Sequence, residues 1–152
     1  MEKPLKRNTA LLSFSKDHHH ALLLCWKIKT GISKGIATER IKKYTDWFYE
    51  EHLAEHFRAE EEYLFSILES NHKLIQQAIK EHRLLSKLFT DKSDTEDSLE
   101  QIPAELEKHI RFEERILFNE IQSAATSAQL DRLKQKHTGE KFVDNLSDVF
   151  WQ

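Results

Sequence analysis

The sequence predicts an all-α fold: an antiparallel up-down-up-down four-helix bundle with a short C-terminal helix and tail. Three observations predict it. Only 3 Gly and 2 Pro occur in 152 residues, too few chain-breakers for the turns a sheet protein needs. Apolar residues recur at three- and four-residue spacing over four long stretches. The polar connections between those stretches are short, which favours antiparallel packing of neighbours.

Taken in order, Ser13 and Ser15 are N-cap candidates and Gly31 is a stop signal, so a first helix is expected over about 15–30. Leu22, Leu23, Cys25, Trp26 and Ile28 make its buried face. After a loop at 31–35, Thr38 caps a second helix reaching about 69, with Ile41, Trp47/Phe48, His52, His56, Glu60, Leu64 and Ile67 on one stripe. Asn71 and His72 turn the chain into a third helix, about 73–90, burying Ile75, Ile79, His82, Leu85 and Phe89. A polar loop, 91–97, leads to a fourth helix ending near Ser123. Pro103 sits in its first turn or kinks it. The inner face of that helix reads Ile102, Leu106, His109, Glu113, Ile116/Leu117 and Ile121. A short helix over about 127–137 and an aromatic tail, Phe142, Phe150 and Trp151, close the chain. The length suits one domain, with a bundle core at about 10–123 and the C-terminal helix and tail at 125–152.

Composition narrows the function. Charged residues at 32% against 39% hydrophobic ones give an ordinary soluble mix. A net charge of −3 removes the electrostatic basis for dedicated nucleic-acid binding. No apolar run approaches the roughly 20 residues of a membrane span, and Leu11–Phe14 is too short for a signal-peptide core. The lone Cys25 can form neither an internal disulfide nor a thiolate cage, and a reducing cytoplasm is the expected compartment. Nine histidines are the unusual count, since a structural core has little use for so many.

An internal repeat gives those histidines a context. His56–Leu68 (HFRAEEEYLFSIL) aligns with His109–Ile121 (HIRFEERILFNEI) at an offset of 53, with His, Arg, two Glu, Leu and Phe coinciding. A weaker echo links Lys16-Asp17-His18 with Lys80-Glu81-His82. Histidine–glutamate spacing alone proves little in so acidic a chain. Here, however, both instances fall inside the repeated block and point inward, while Arg58 and Arg111 fall off the stripe. Four buried imidazoles and two buried carboxylates without a cation would cost several kcal/mol per ion in desolvation. A bound metal is the simplest compensation. Residues four apart stack on one helix face, so His56 with Glu60, and His109 with Glu113, each present a nitrogen and an oxygen to one region. A carboxylate can bridge two cations whereas an imidazole terminates one. Mixed imidazole and carboxylate ligation with no thiolate suits iron, with manganese or zinc next.

The pieces K-D-H-H-H-A-L (16–22), H-F-R-A-E-E (56–61), K-E-H (80–82) and H-I-R-F-E-E-R-I-L-F (109–118) resemble the hemerythrin-like, HHE cation-binding domain family over roughly residues 10–135. The resemblance implies a four-helix bundle holding two iron ions, oxo- or hydroxo-bridged, on His18, His56, Glu60, His82, His109 and Glu113. With one histidine on the third helix, and Glu113 one turn after His109, the likeness is nearer to the iron-sensing and iron–sulfur-cluster-repair branches than to the oxygen carriers.

Other residues divide as follows. His19 is a second candidate ligand on the first helix, and His52 is a candidate ligand or a neighbour of the ligands. His20 is read as solvent-facing, His72 as a helix-end residue and His137 as a surface one. Glu61 and Glu114 are expected to pair with nearby Arg or Lys. Asp17 and Glu81 are read as solvated acids, with orientation of a ligating imidazole as the other reading. The tail aromatics pack on the bundle or form a homodimer contact. The expected function is a di-iron module that binds or senses O2, NO or iron, with a peroxidase, oxidase or iron–sulfur-cluster-repair enzyme as the alternative. The expected partners are small ligands, O2, NO or H2O2, and neither nucleic acid nor membrane. No general base, phosphate loop or substrate pocket is readable to favour an enzyme. A zinc hydrolase is excluded by Leu53, which stands where H-E-x-x-H needs its glutamate.

Overall fold

Helical periodicity dominates the chain, and a computed structural model describing residues 6–139 and 141–152 contains helices and no strand among them. A short 3₁₀ turn capped by the Asn8 side chain, which accepts from the Ala10 amide, leads into α1, Leu12–Ser33. α2 spans 38–67 and α3 is Lys73–Thr90, capped by His72. α4 spans 95–124, capped by Asp94, and α5 is Ser127–Lys136, opened by a Thr126–Gln129 capping box. No helix among the described residues is long and apolar enough to cross a membrane.

The punctuation differs from the sequence reading in instructive ways. Ser13 and Ser15 lie inside α1, and their hydroxyls reach across to His137 and Glu114 instead of capping. Gly31 does not stop α1. It is buried within the helix, where a Cβ would come within 2.7 Å of the Phe150 ring and 2.9 Å of Ile41. The stop is Gly35, at φ 68, after which the Gly35 and Ile36 amides return to the Ile32 and Gly31 carbonyls. Ala37, not Thr38, is the N-cap position of α2. Pro103 lies well inside α4, where its missing N–H leaves the Leu99 carbonyl without its helical donor.

α1 packs on α2 and α4, and α3 packs on α4 and α2. Burial divides the interior into two apolar clusters. One holds Ala21, Leu24, Ile28, Ile41, Phe48, Phe57, Leu85, Phe89, Leu99, Ile102, Leu106 and Ile110. The other holds Phe14, Ala59, Leu64, Phe65, Ile75, Ala78, Phe112, Leu117, Phe118 and Ile121. α1 and α3 run from the second cluster to the first, and α2 and α4 run the opposite way. At the crossing point of every one of these helices sits a histidine. The buried face of α1 is rotated from the sequence reading: Leu22, Leu23 and Trp26 are exposed, while Phe14, His18, Ala21, Leu24, Cys25 and Ile28 face inward. A hydrophobic run with no polar interruption does not say which of its sides is in. Ile116 is likewise exposed, with Leu117 inside.

After α5 the chain returns along α1 and α2 without regular structure. Asp144 accepts from Lys27 and Tyr44, Asp148 pairs with Arg40, Phe150 is buried against Gly31, and Trp151 covers the Lys27 ammonium at 4.1 Å. The tail aromatics therefore pack on their own chain. Gly31→Val should overpack the Phe150–Ile41 contact and lower stability by about 1–3 kcal/mol, read from the urea midpoint at unchanged m-value.

Candidate metal centre

Between the two apolar clusters lie His18, His56, Glu60, His82, His109 and Glu113, all buried. They form two groups of four: His18, His56, Glu60 and Glu113, and Glu60, His82, His109 and Glu113. Within each group one donor atom per residue lies within 4.8 Å of every other. Both groups contain both glutamates. Glu60 lies 3.2 Å from His56 Nε2, 3.7 Å from His18 Nε2 and 3.0 Å from His82 Nε2, so it spans the two histidine pairs. Glu113 does the same from the other side, 3.0 Å from His18 Nε2 and 3.1 Å from His109 Nε2.

These contacts are close, yet several lack hydrogen-bond geometry. The Nε2 atoms of His56, His82 and His109, both Glu60 oxygens and Glu113 Oε2 are fully covered and have no hydrogen-bond partner among the described residues. Buried polar atoms are almost always satisfied, because an orphan forfeits its solvation with no return. Six orphans aimed at the same small volume are what a donor set around cations looks like when only the protein is considered. The donor types, imidazole nitrogen and carboxylate oxygen, fit transition-metal ions and include no thiolate.

The other nitrogen of each ring is held. His18 Nδ1 donates to Glu114 at 3.0 Å, His56 Nδ1 to Asp17 at 2.9 Å, His82 Nδ1 to Glu61 at 2.8 Å and His109 Nδ1 to Glu81 at 2.7 Å. An ionised carboxylate can only accept, so each Nδ1 carries a proton, and Nε2, which in His18 meets Glu113 at 3.0 Å, is the nitrogen a cation would take in place of a proton. The four bonds form a closed ring. α1 holds the histidine of α2, α2 that of α3, α3 that of α4, and α4 that of α1. Glu61, Glu114, Asp17 and Glu81 are thus imidazole anchors on neighbouring helices, which corrects the reading of the first two as arginine or lysine partners and of the last two as solvated acids.

The internal repeat reappears here as pseudo-two-fold symmetry. His56 and His109 each end one histidine pair, Glu60 and Glu113 are the shared carboxylates, and Glu61 and Glu114 anchor His82 and His18. Phe65 stacks on His82 at 5.4 Å, as Phe118 stacks on His18 at 5.3 Å. Of the coinciding residues Arg58, Arg111 and Glu61 are exposed, and Glu61 still reaches His82. Each copy also contains a π-helical turn beginning at its shared glutamate, Glu60–Leu64 and Glu113–Leu117. Such turns concentrate at functional sites, because one extra residue re-phases the face that follows.

His19 is exposed and belongs to neither group. His52 also lies outside both, its ring 5.0 Å from Trp47 and 4.7 Å from Phe142. His20 is half-buried, not solvent-facing, and stacks on Phe142 at 4.1 Å. His137 is likewise no surface residue. It stacks on Phe14 at 4.0 Å, bonds Ser13 Oγ and lies 3.5 Å from Asp17.

Charge is balanced within the cluster. Burial opposes a charge on every ring, but the carboxylates outweigh it. Glu113, Glu114 and Glu60 lift His18 well above the ordinary imidazole value. Glu60 and Asp17 raise His56 to about 9, and Glu113 and Glu81 raise His109 to about 10. Burial pushes the Glu60 carboxyl up, yet the surrounding His56, His18 and His82 hold it well below the usual carboxylate range. Protons and metal cations therefore compete for the same nitrogens.

The residues thus define a helical protein with paired, buried histidine–glutamate clusters able to hold metal ions. Comparison with protein-family models, with curated proteins and with solved structures returns no match.

Two outcomes follow from this geometry. In chelator-stripped protein, a histidine whose folded pKa lies above its unfolded 6.5 stabilises the fold fully below pH 6.5, and this contribution is lost as pH rises through about 9 for His56 and about 10 for His109. The Tm of the stripped protein should therefore fall between pH 6.5 and 10, and that of the metal-loaded protein should fall less. Glu81→Ala should weaken metal binding by about 10- to 100-fold, measured by competition with a chromophoric chelator.

Proposed function

We propose that this chain is a hemerythrin-like metalloprotein: an antiparallel up-down-up-down four-helix bundle that holds a carboxylate-bridged di-iron centre and binds or senses O2, NO or iron. The observation supporting the reading best is the sharing of both buried glutamates between two histidine pairs. A site for one cation has no use for two bridging carboxylates flanked by four imidazoles, whereas a site for two has.

In this reading His18 and His56 hold one cation, His82 and His109 the other, and Glu60 and Glu113 both. Six residues shared over two cations leave coordination positions open. Two iron ions there supply one-electron redox chemistry and an affinity for small ligands such as O2, NO or peroxide. The chain's own residues do the rest. The outer carboxylates fix each ring and its tautomer, and the stacked Phe65 and Phe118 exclude water from His82 and His18. The opposed directions of successive helices between the apolar clusters support the bundle. The resemblance of the H-F-R-A-E-E and H-I-R-F-E-E blocks to the HHE family supports the choice of iron over zinc or manganese.

Purified protein should hold close to two irons per chain and absorb in the near-ultraviolet and visible through ligand-to-metal charge transfer. His56→Ala should deplete one position first, Glu60→Ala and Glu113→Ala should deplete both, and His19→Ala should retain the metal. Metal analysis with thermal melts before and after chelation checks this. A colourless chain indifferent to chelators would reduce the cluster to a structural network. In stopped-flow mixing, a stable NO or O2 adduct supports binding or sensing, and peroxide turnover would favour an enzyme instead.

A further inference from the structure

The two halves of the centre are not equally covered. On the α3 side, Phe57 lies face-on against His82 at 4.0 Å, with Phe65 behind it. A surface cavity between α2 and α3 is walled by Phe57 and Glu61 and is lined by none of the six central residues. On the α1–α2 side two cavities touch His56. One, of about 230 Å³, is bounded by Glu51, Glu55, His137 and Thr138. The other is a small pocket of about 50 Å³.

The small chamber has a distinctive wall. Phe48 and Leu53 are apolar, while His20, His52, Asp17 and His56 are polar, and Phe142 lies over them. Phe142 stacks on His20 at 4.1 Å and sits 4.7 Å from His52 and 5.9 Å from Phe48. The His20 Nδ1 atom is fully covered and finds no hydrogen-bond partner among the described residues. Beyond the wall lies a wide groove of about 820 Å³ open to the surface. Asp17, His20, Lys141 and Phe142 line both spaces, so they are the partition between solvent and the chamber that reaches His56.

We propose that this chamber is the antechamber through which a two- or three-atom hydrogen-bonding ligand, of the size of peroxide or azide, reaches the centre. His20 and His52 are its polar contacts, and Phe142 lies across it on the solvent side. The inference rests on the reading that the centre holds metal. An imidazole nitrogen with no partner in the protein offers a ligand the hydrogen bond that compensates its desolvation. Phe142 lies on the returning segment with no regular backbone structure, whereas its stacking partner His20 is held on α1.

The test uses azide as the probe, with metal content measured for every variant. In iron-loaded protein, stopped-flow absorbance should show azide binding slowed by about tenfold in Phe142→Trp and accelerated in Phe142→Ala, as expected where access limits the rate. Ile116→Trp, at an exposed site on α4, should match the wild type. In zinc-loaded protein, azide should shift the His20 and His52 imidazole resonances saturably, and the His20 response should weaken in Phe142→Ala. If metal is retained but both Phe142 variants bind azide within twofold of the wild-type rate, or the two imidazoles do not respond, the antechamber is refuted and the metal centre stands. If the wild-type chain holds no metal, both readings fall.

Discussion

Two carboxylates and four imidazoles removed from water at the middle of the protein are the constraint on which the rest of the structure depends. Charges buried without compensation cost several kcal/mol each, and a well-packed apolar layer would have been the cheaper solution. Opposite charge offsets part of that cost, while six of the central donor atoms find no hydrogen-bond partner among the described residues. Imidazoles surround Glu60 and Glu113, and a second tier of carboxylates holds the outer nitrogens. The apolar clusters on either side complete the design. They keep water out and hold four helices at the spacing the layer requires.

The closed ring of outer carboxylates ties local and global structure together. Asp17, Glu61, Glu81 and Glu114 each sit next in sequence to a central residue of their own helix, yet each holds the histidine of another. A shift of any one helix along its axis would break two of these bonds, one given and one received. Helix register and imidazole orientation are therefore set by the same four contacts.

The pseudo-symmetry ends where the tail begins. α5 and the returning segment lie on the α1–α2 side only, bringing His137 to Asp17 and Phe142 to His20 and His52. Lys27, buried between Tyr44, Asp144 and Trp151, fastens that segment down. Helix rings cover both halves, Phe57 and Phe65 at His82, Phe118 at His18 and Phe14 at His56, and on one side only the returning segment adds Phe142 over His20 and His52.

The helices and four of the central residues, His56, Glu60, His109 and Glu113, were legible in the sequence because both are local: apolar periodicity marks a helix, and the His–Glu spacing inside a repeated block marks one inward face, whereas His18, with His19 as its alternative, and His82 rested on a weaker echo and the family resemblance. The buried side of α1 was not legible, since an unbroken apolar run is compatible with several rotations. Nor were the π-helical turns at Glu60 and Glu113, which insert a residue without a composition signal. Which histidines group together around the shared glutamates, which acid anchors which ring, and where Phe142 comes to rest were decided only by tertiary packing. Those contacts join residues on different elements, and only the packed helices bring them within reach.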